Sequence, residues 1–294
     1  MATYSDVEQN LVPEGGQDLP ATPIPVVVSG AWGKMGRETV AALQAAPQLQ
    51  LVARIDPSLR DSPDSDAFAD LDALMAADIV DPKNTRTVFV DFTRPDVVAQ
   101  NLKQALPLGF DCVVGTTGLS QESLTLLEKM IYDDRCLFIA PNFAIGAVLM
   151  MQLAQQVVAY LPTVEIIELH HDNKLDAPSG TAKRTAELLA CARRRALPDF
   201  KSAAPGAESE LPDGAGARGA AVDDIPIHSV RLPGYVAHQE VIFGGCGQTL
   251  TIRHDSINRS SFMPGVVLAC QQVIEYSGLI IGLENLLPSR PVCD

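Results

Sequence analysis

Residues 24–36 read IPVVVSGAWGKMG. A β-branched run ends at Gly30, and glycines at 30, 33 and 36 follow in the form GxxGxxG. Behind them Lys34–Ala45 has helical spacing, and Leu51–Ile55 is again strand-like. Strand, glycine turn, helix, strand is the opening of a parallel βαβ unit. In that setting glycines let the backbone pass close to a pyrophosphate, whose charge sits at the positive end of the helix. The same spacing also suits a tight turn with close helix–strand packing, so the neighbouring residues must decide. Asp56 ends the second strand about twenty positions after Gly36. An acid there accepts hydrogen bonds from the adenosine ribose hydroxyls, which points to a nicotinamide dinucleotide.

Outward from this unit, Thr87–Asp91 (TVFVD), Asp111–Val114 (DCVV) and Cys136–Ala140 (CLFIA) are buried-strand patterns. Helical stretches Asp96–Leu106 and Gln121–Tyr132 lie between them. Regular alternation predicts a Rossmann-type doubly wound parallel sheet over residues 24–142. Asp91-Phe92-Thr93 and Gly115-Thr116-Thr117-Gly118 both follow strands at its carboxyl edge. Each suits contact with the nicotinamide end, and each is also an ordinary β-to-α turn. The second half differs. After an apolar helix, Ile145–Tyr160, come strand Val164–Leu169, helix Thr181–Arg195 and strand-like runs His228–Leu232, His238–Phe243 and Thr249–Asp255. Strands without intervening helices predict an α+β domain with an antiparallel or mixed sheet. Pro264–Glu275 returns to helix, while residues 201–224, rich in Ala, Gly, Pro and acids, are expected to be structureless. The expected division is a disordered tail at 1–22, a dinucleotide-binding domain at 23–142, a substrate domain at 143–258 and a C-terminal segment at 259–294.

The chain of 294 residues has 22 basic and 36 acidic side chains, a net charge of −14. Such a balance disfavours general attraction to nucleic acid or an anionic membrane. No apolar stretch is long enough to span a bilayer, and the acidic first 22 residues lack the apolar region of a signal peptide. Six scattered cysteines form neither a CxxC motif nor a zinc-type set, so reduced thiols in the cytosol, and no metal, are expected.

The second chemical feature is ELHHDNKLDAPSGTA at 168–182. His170 and His171 end a strand, so they point to opposite sides. Lys174 supplies an ammonium close by. Ser179 is a candidate N-cap, with the backbone donors of Gly180 and Thr181 facing outward to favour a carboxylate. Either histidine alone is more readily structural than catalytic, and Asp176 is more readily a loop brace. Together with Lys183 and Arg184 they make a local positive island in an acidic chain.

GAWGKMG, DFTRP, GTTG, APNF and ELHHDNKLDAPSGTA occur in this order, and together they resemble the bacterial dihydrodipicolinate (4-hydroxy-tetrahydrodipicolinate) reductases of lysine biosynthesis. The likeness covers residues 24–287, and HSVRLPGYVAHQEVIFG resembles the cyanobacterial or plastid-type branch. It implies reduction of a small cyclic dicarboxylate imine by NADH or NADPH, in a cytoplasmic or plastid-type compartment. It also implies a homotetramer joined through the substrate-domain sheets and a C-terminal segment returning to the first domain. On matching positions it places the cofactor against Gly30, Ala31, Trp32, Gly33, Lys34 and Met35, against Asp56, Phe92 and Thr93, and against Gly115, Thr116 and Thr117. Ala140, Pro141, Asn142 and Phe143 complete that set, with the last three at an inter-domain hinge. His170 is then the acid/base and Lys174 a proton donor, with His171, Ser179, Gly180 and Thr181 on the substrate.

Some relatives carry a basic residue just after the ribose-binding acid; here it is Pro57, and Asp56 repels a 2′-phosphate, so NADH is favoured. Lys34, Arg37 and Arg60 leave dual use open. Two rivals remain: a two-domain amino-acid dehydrogenase of the aspartate dehydrogenase kind, and a non-catalytic NAD(H) sensor. The first leaves the His-His-Lys and Ser-Gly-Thr constellation unexplained, and the second predicts damage at His170 or Lys174.

Overall fold

A computed structural model describes residues 22–60, 62–116, 118–200 and 218–287. The first sheet is built from β1 (Ile24–Ser29), β2 (Leu49–Ile55), β3 (Ala67–Phe68), β4 (Val88–Asp91), β5 (Asp111–Val114), β6 (Cys136–Ile139) and β12 (Gly278–Ile281). Its seven strands lie in the order β12-β6-β5-β4-β1-β2-β3 and all pair in parallel. Continuous apolar runs such as VVV arise because this sheet is covered on both faces. Val26, Val28, Val90 and Phe138 face helix α1 (Lys34–Ala45) and helix α7 (Met263–Gln272). Val27, Phe89, Val114 and Leu137 face α2 (Leu71–Ala76), α3 (Pro95–Leu108) and α4 (Gln121–Glu128) on the other side. The doubly wound sheet is as expected, and β1 and α1 have the expected bounds.

The second sheet holds β7 (Thr163–His170), β8 (Ala220–Val222), β9 (Ile225–Arg231), β10 (Ala237–Gly245) and β11 (Gln248–Ser256) in the order β11-β10-β7-β9-β8. Only β7 and β9 pair in parallel, which makes the sheet mixed. Helices α5 (Ile145–Val157) and α6 (Gly180–Ala196) cover one face through Met150, Ala154, Ala186 and Leu189, against Ile166, Ile227, Val241 and Phe243. Among the described residues no helix is long and apolar enough to cross a membrane.

Several local expectations change. The third helix does not stop at Leu106 before Pro107; it runs to Leu108 and ends on Gly109, whose φ of +93° supplies the left-handed stop. The helix expected to reach Tyr160 ends at Val157, and that of 121–132 ends at Glu128. Strand β8 lies inside the span expected to be structureless, held by antiparallel pairing to β9. Residues 201–217 of that span, the tail through residue 21, Thr117 and Cys293 lie outside the described residues. Short β3 and α2, with little pattern of their own, were not foreseen.

Candidate active site

The turn after β1 is determined by backbone geometry. Gly30 has φ +72°, and its N–H and that of Ala31 both donate to the Ile55 carbonyl at 2.8 and 3.1 Å. This double bond pins the turn to the end of β2. A Cβ on Gly36 would overlap the Gly30 carbonyl oxygen, so only glycine lets α1 sit this close. Helix α1 has no side-chain cap and no acidic residue in its first turn, which leaves its positive end open to an anion. Asp56 stands beside it, accepting from the Trp32 N–H at 3.2 Å and from the Ser58 N–H at 3.0 Å. The exposed Trp32 ring lies between Arg37 and Arg54, their guanidinium carbons 5.5 and 5.9 Å from its centroid. Arg54 is itself paired with Asp64 and Asp66. A bare helix terminus, a close glycine turn and an acid at the end of β2 fit a dinucleotide.

The neighbouring strand ends reach the same edge. Buried Asp91 accepts from the Thr93 N–H at 2.7 Å, the Thr93 hydroxyl at 2.6 Å and the Asn101 amide at 2.7 Å, bracing the Phe92–Thr93 turn. The Thr116 hydroxyl donates to the Thr93 carbonyl at 2.6 Å, linking the turns after β4 and β5. Gly115 is required because the Phe92 ring occupies the space of a Cβ. Phe92 meets Phe143 edge-on at 5.5 Å, and Phe143 is buried in the core. Its side chain is therefore packing, and only its backbone is free to serve a ligand. Asn142 caps the segment entering α5 by accepting the Ala144 N–H at 2.9 Å. Two residues after Ala144, Gly146 lies against His254 of β11, where a Cβ would come within 2.5 Å of the ring. Burial pushes the His254 imidazole below its ordinary pKa.

On the second sheet, alternation along β7 turns Val164, Ile166, Glu168 and His170 toward the helices. Glu168 is fully buried. A carboxylate only accepts hydrogen bonds, so the His170 Nδ1–H donates to Glu168 Oε2 (2.5 Å) and Nε2 is left for another partner. Arg231 at the end of β9 grips both Glu168 oxygens at 2.8 Å, and the Ser179 N–H donates to Oε1 at 3.2 Å. Burial pushes the Glu168 carboxyl up, but hydrogen bonds from His170, Arg231 and Ser229 outweigh it and bring it down to about 2.

Lys174 Nζ donates to Asp176 Oδ1 at 2.7 Å, holding that carboxyl below the usual range. Asp176, expected to brace the loop, is thus the direct partner of the lysine. Ser179 is the N-cap of α6, its hydroxyl accepting the Ala182 N–H at 3.2 Å. Gln239 on β10 donates to the Thr185 hydroxyl at 2.9 Å, and that hydroxyl donates to the Thr181 carbonyl at 2.8 Å, anchoring the first turn of α6. A Cβ at Gly180 would meet nothing within 4 Å. His171 contributes its carbonyl to the Lys174 N–H at 3.2 Å. The anticipated His170, His171, Lys174, Ser179, Gly180 and Thr181 therefore sit on one continuous strand-end, loop and helix-start. Glu168, Arg231 and Gln239 were missed. Glu168 had a signal: a carboxylate two positions before His170 on the same strand lies on the same face.

Two family models match the chain in succession: "Dihydrodipicolinate reductase, N-terminus" over residues 24–143 and "Dihydrodipicolinate reductase, C-terminus" over 146–287. The chain belongs to the dihydrodipicolinate reductase family. A 4-hydroxy-tetrahydrodipicolinate reductase of Geobacillus thermodenitrificans is 49% identical over 269 residues, covering 90% of this chain and 99% of the relative. One of Mycolicibacterium gilvum is 49% identical over 264 residues, covering 89% and 98%. A solved structure, dipicolinate-bound dihydrodipicolinate reductase from Paenisporosarcina sp. TG-14, is 44% identical with a TM-score of 0.74 and covers 90% of this chain and 100% of that one. As a dihydrodipicolinate reductase family member the chain is an NAD(P)H-dependent enzyme of the diaminopimelate route to lysine. The amino-acid dehydrogenase and sensor readings fall away.

Proposed function

We propose that this reductase protonates and orients its substrate with the strand-end, loop and helix-start of residues 170–181. The observation that carries the reading is the His170–Glu168 hydrogen bond, which leaves Nε2 available at the strand end that leads into the Lys174 loop and the start of α6. The turns after β1, β4, β5 and β6 would hold the nicotinamide dinucleotide, which when bound would supply the hydride for C4 of the cyclic dicarboxylate imine. The ring carbon that gains electron density takes a single proton, given by Nε2 of His170 in its doubly protonated form, while the Lys174 ammonium stabilises that charge and restores the proton to the imidazole. Gly180 and Thr181 N–H groups, with Ser179 fixing their direction and His171 alongside, take a substrate carboxylate. Gly30–Met35 and Asp56 would hold the pyrophosphate and adenosine ribose; Phe92, Thr93, Gly115 and Thr116 with Ala140–Phe143 would line the nicotinamide end.

NADH is the favoured donor because the Asp56 carboxylate opposes a 2′-phosphate and Pro57 adds no cation, while the Arg54 charge is already met by Asp64 and Asp66. Lys34, Arg37 and Arg60 allow NADPH as a weaker alternative. The working unit is a homotetramer in a cytoplasmic or plastid-type compartment. Its contacts run through the face of the second sheet away from α5 and α6, where Ile167, Leu169, Val230 and Ile242 are only partly covered. Residues 23–142, 143–258 and 259–294 are its dinucleotide, substrate and returning segments. The deciding experiment couples the protein to dihydrodipicolinate synthase and compares NADH with NADPH. Turnover with higher kcat/KM for NADH is expected. No turnover with either would end the proposal, and a strong NADPH preference would end its cofactor half.

A further inference from the structure

We infer that the buried Glu168–Arg231 pair is the positioning device of this site, setting the proton donor, the lysine loop and the carboxylate-binding helix in one register. The inference rests on the roles proposed above for His170 and for the start of α6.

The pair stands where three elements meet. Glu168 is fully buried and its two oxygens are shared out: Oε2 accepts from His170 Nδ1 and Arg231 Nη1, Oε1 from Arg231 Nη2 and the Ser179 N–H. One carboxylate thus holds both the imidazole and the residue that caps α6. Arg231 continues the linkage, because Nη2 also donates to the Asp176 carbonyl at 2.7 Å, and the Asp176 carboxylate is the partner of Lys174. Nη1 donates to the Val230 carbonyl at 2.8 Å, fixing the guanidinium to its own strand.

The physical case for a functional role is comparative. Desolvation costs a buried ion pair roughly what its attraction returns, so apolar residues of similar volume are often as stabilising. A pair kept for stability alone has no need to spend its hydrogen bonds on the histidine, the lysine loop and the helix cap. What this arrangement supplies is direction. With Nδ1–H committed to Glu168, the ring has one orientation, and Nε2 is the nitrogen that takes up and gives the proton.

The test uses Glu168→Gln, Glu168→Asp, His170→Gln and the double variant Glu168→Gln/His170→Gln in the full chain. Steady-state kinetics on the enzymatically generated cyclic imine is measured with NADH titration by fluorescence and thermal melting. Glu168→Gln should lower kcat about 10- to 100-fold, the size of effect when the carboxylate that orients a metal-bound imidazole is removed, because here too the carboxylate fixes the ring. NADH binding should be unchanged. In the His170→Gln background the same change should cost kcat much less than it does alone, because its largest share is exerted through His170 and only the share through the lysine loop and the start of α6 remains. Should Glu168→Gln fail to fold, Glu168→Asp keeps the charge for Arg231 while drawing the carboxylate back by one methylene, and should show the same loss of kcat with NADH binding intact. Full turnover in the folded Glu168 variants, or losses that add fully to that of His170→Gln, would overturn the inference alone. Full turnover in His170→Gln would instead overturn the role of His170 itself, and this inference with it.

Discussion

Replacing Gly180 by Ala separates what the fold needs from what the substrate needs. Gly180 opens α6, its φ is outside the left-handed region, and an added Cβ would meet nothing within 4 Å. The methyl group therefore fits, and by restricting the unfolded chain it should stabilise the protein by about 0.4–1 kcal/mol. Along a helix the Cα–Cβ bond leans toward the N-terminus, so the methyl projects over the N–H groups proposed to receive the substrate carboxylate. A hydrogen bond to a charged group contributes about 1.5–3 kcal/mol, so losing one corresponds to roughly a 10- to 150-fold weaker grip. The expected result is a KM raised by that factor, an unchanged NADH affinity and a melting temperature equal to or above that of the parent. The assay is steady-state kinetics on the enzymatically generated imine, with NADH titration and a thermal melt. An unchanged KM would refute the placement of the carboxylate. A lowered melting temperature would refute the argument that the space before Gly180 is kept for a ligand.

Gly36→Ala should behave in the opposite way, since its Cβ overlaps the Gly30 carbonyl oxygen and backbone must move. A loss of about 1–3 kcal/mol in urea unfolding, together with weakened NADH binding, is expected; full NADH affinity would count against the tight-turn argument. The Glu168 carboxyl sits at about 2 in the folded protein against an ordinary 4.5, so its contribution is present above pH 4.5 and lost as pH falls toward 2. That contribution is up to about 3 kcal/mol, and urea midpoints measured across this window should fall more steeply in the parent than in Glu168→Gln. His170→Gln should lower kcat with NADH binding intact, whereas Lys174→Ala should damage kcat and KM together; equal loss of NADH binding in both would mean that the two halves have been assigned wrongly.

The dinucleotide half was readable because its signals are local. Gly30 and Gly36 are demanded by a left-handed φ and a backbone contact within one turn, and the apolar runs of β1, β4, β5 and β6 record burial on both faces of one sheet. The histidine string was readable for a similar reason: strand end, lysine loop and helix cap follow one another along the chain. Phe143 shows the limit of carrying roles by position. It lies in the segment where cofactor contacts were expected, yet its ring is core, a fact that depends on Phe92 and Phe138 arriving from other strands. Strand β12 is four residues long with an unremarkable sequence, and only the free edge of β6 gives it a place.

By itself the sequence determined the alternation of strands and helices, the glycine turn beside an acid, and the grouping of imidazole, ammonium and helix terminus. These follow from contacts within a few residues, where backbone sterics, alternation and capping act directly. Tertiary structure alone decided that Arg231 would meet Glu168 across 63 positions, that Gln239 would anchor the first turn of α6, and that Arg231 would also reach the Asp176 carbonyl. No local pattern encodes such meetings, because a buried carboxylate takes as partners whichever donors the parallel β7–β9 pairing brings alongside it, and that register exists only once the sheet has formed.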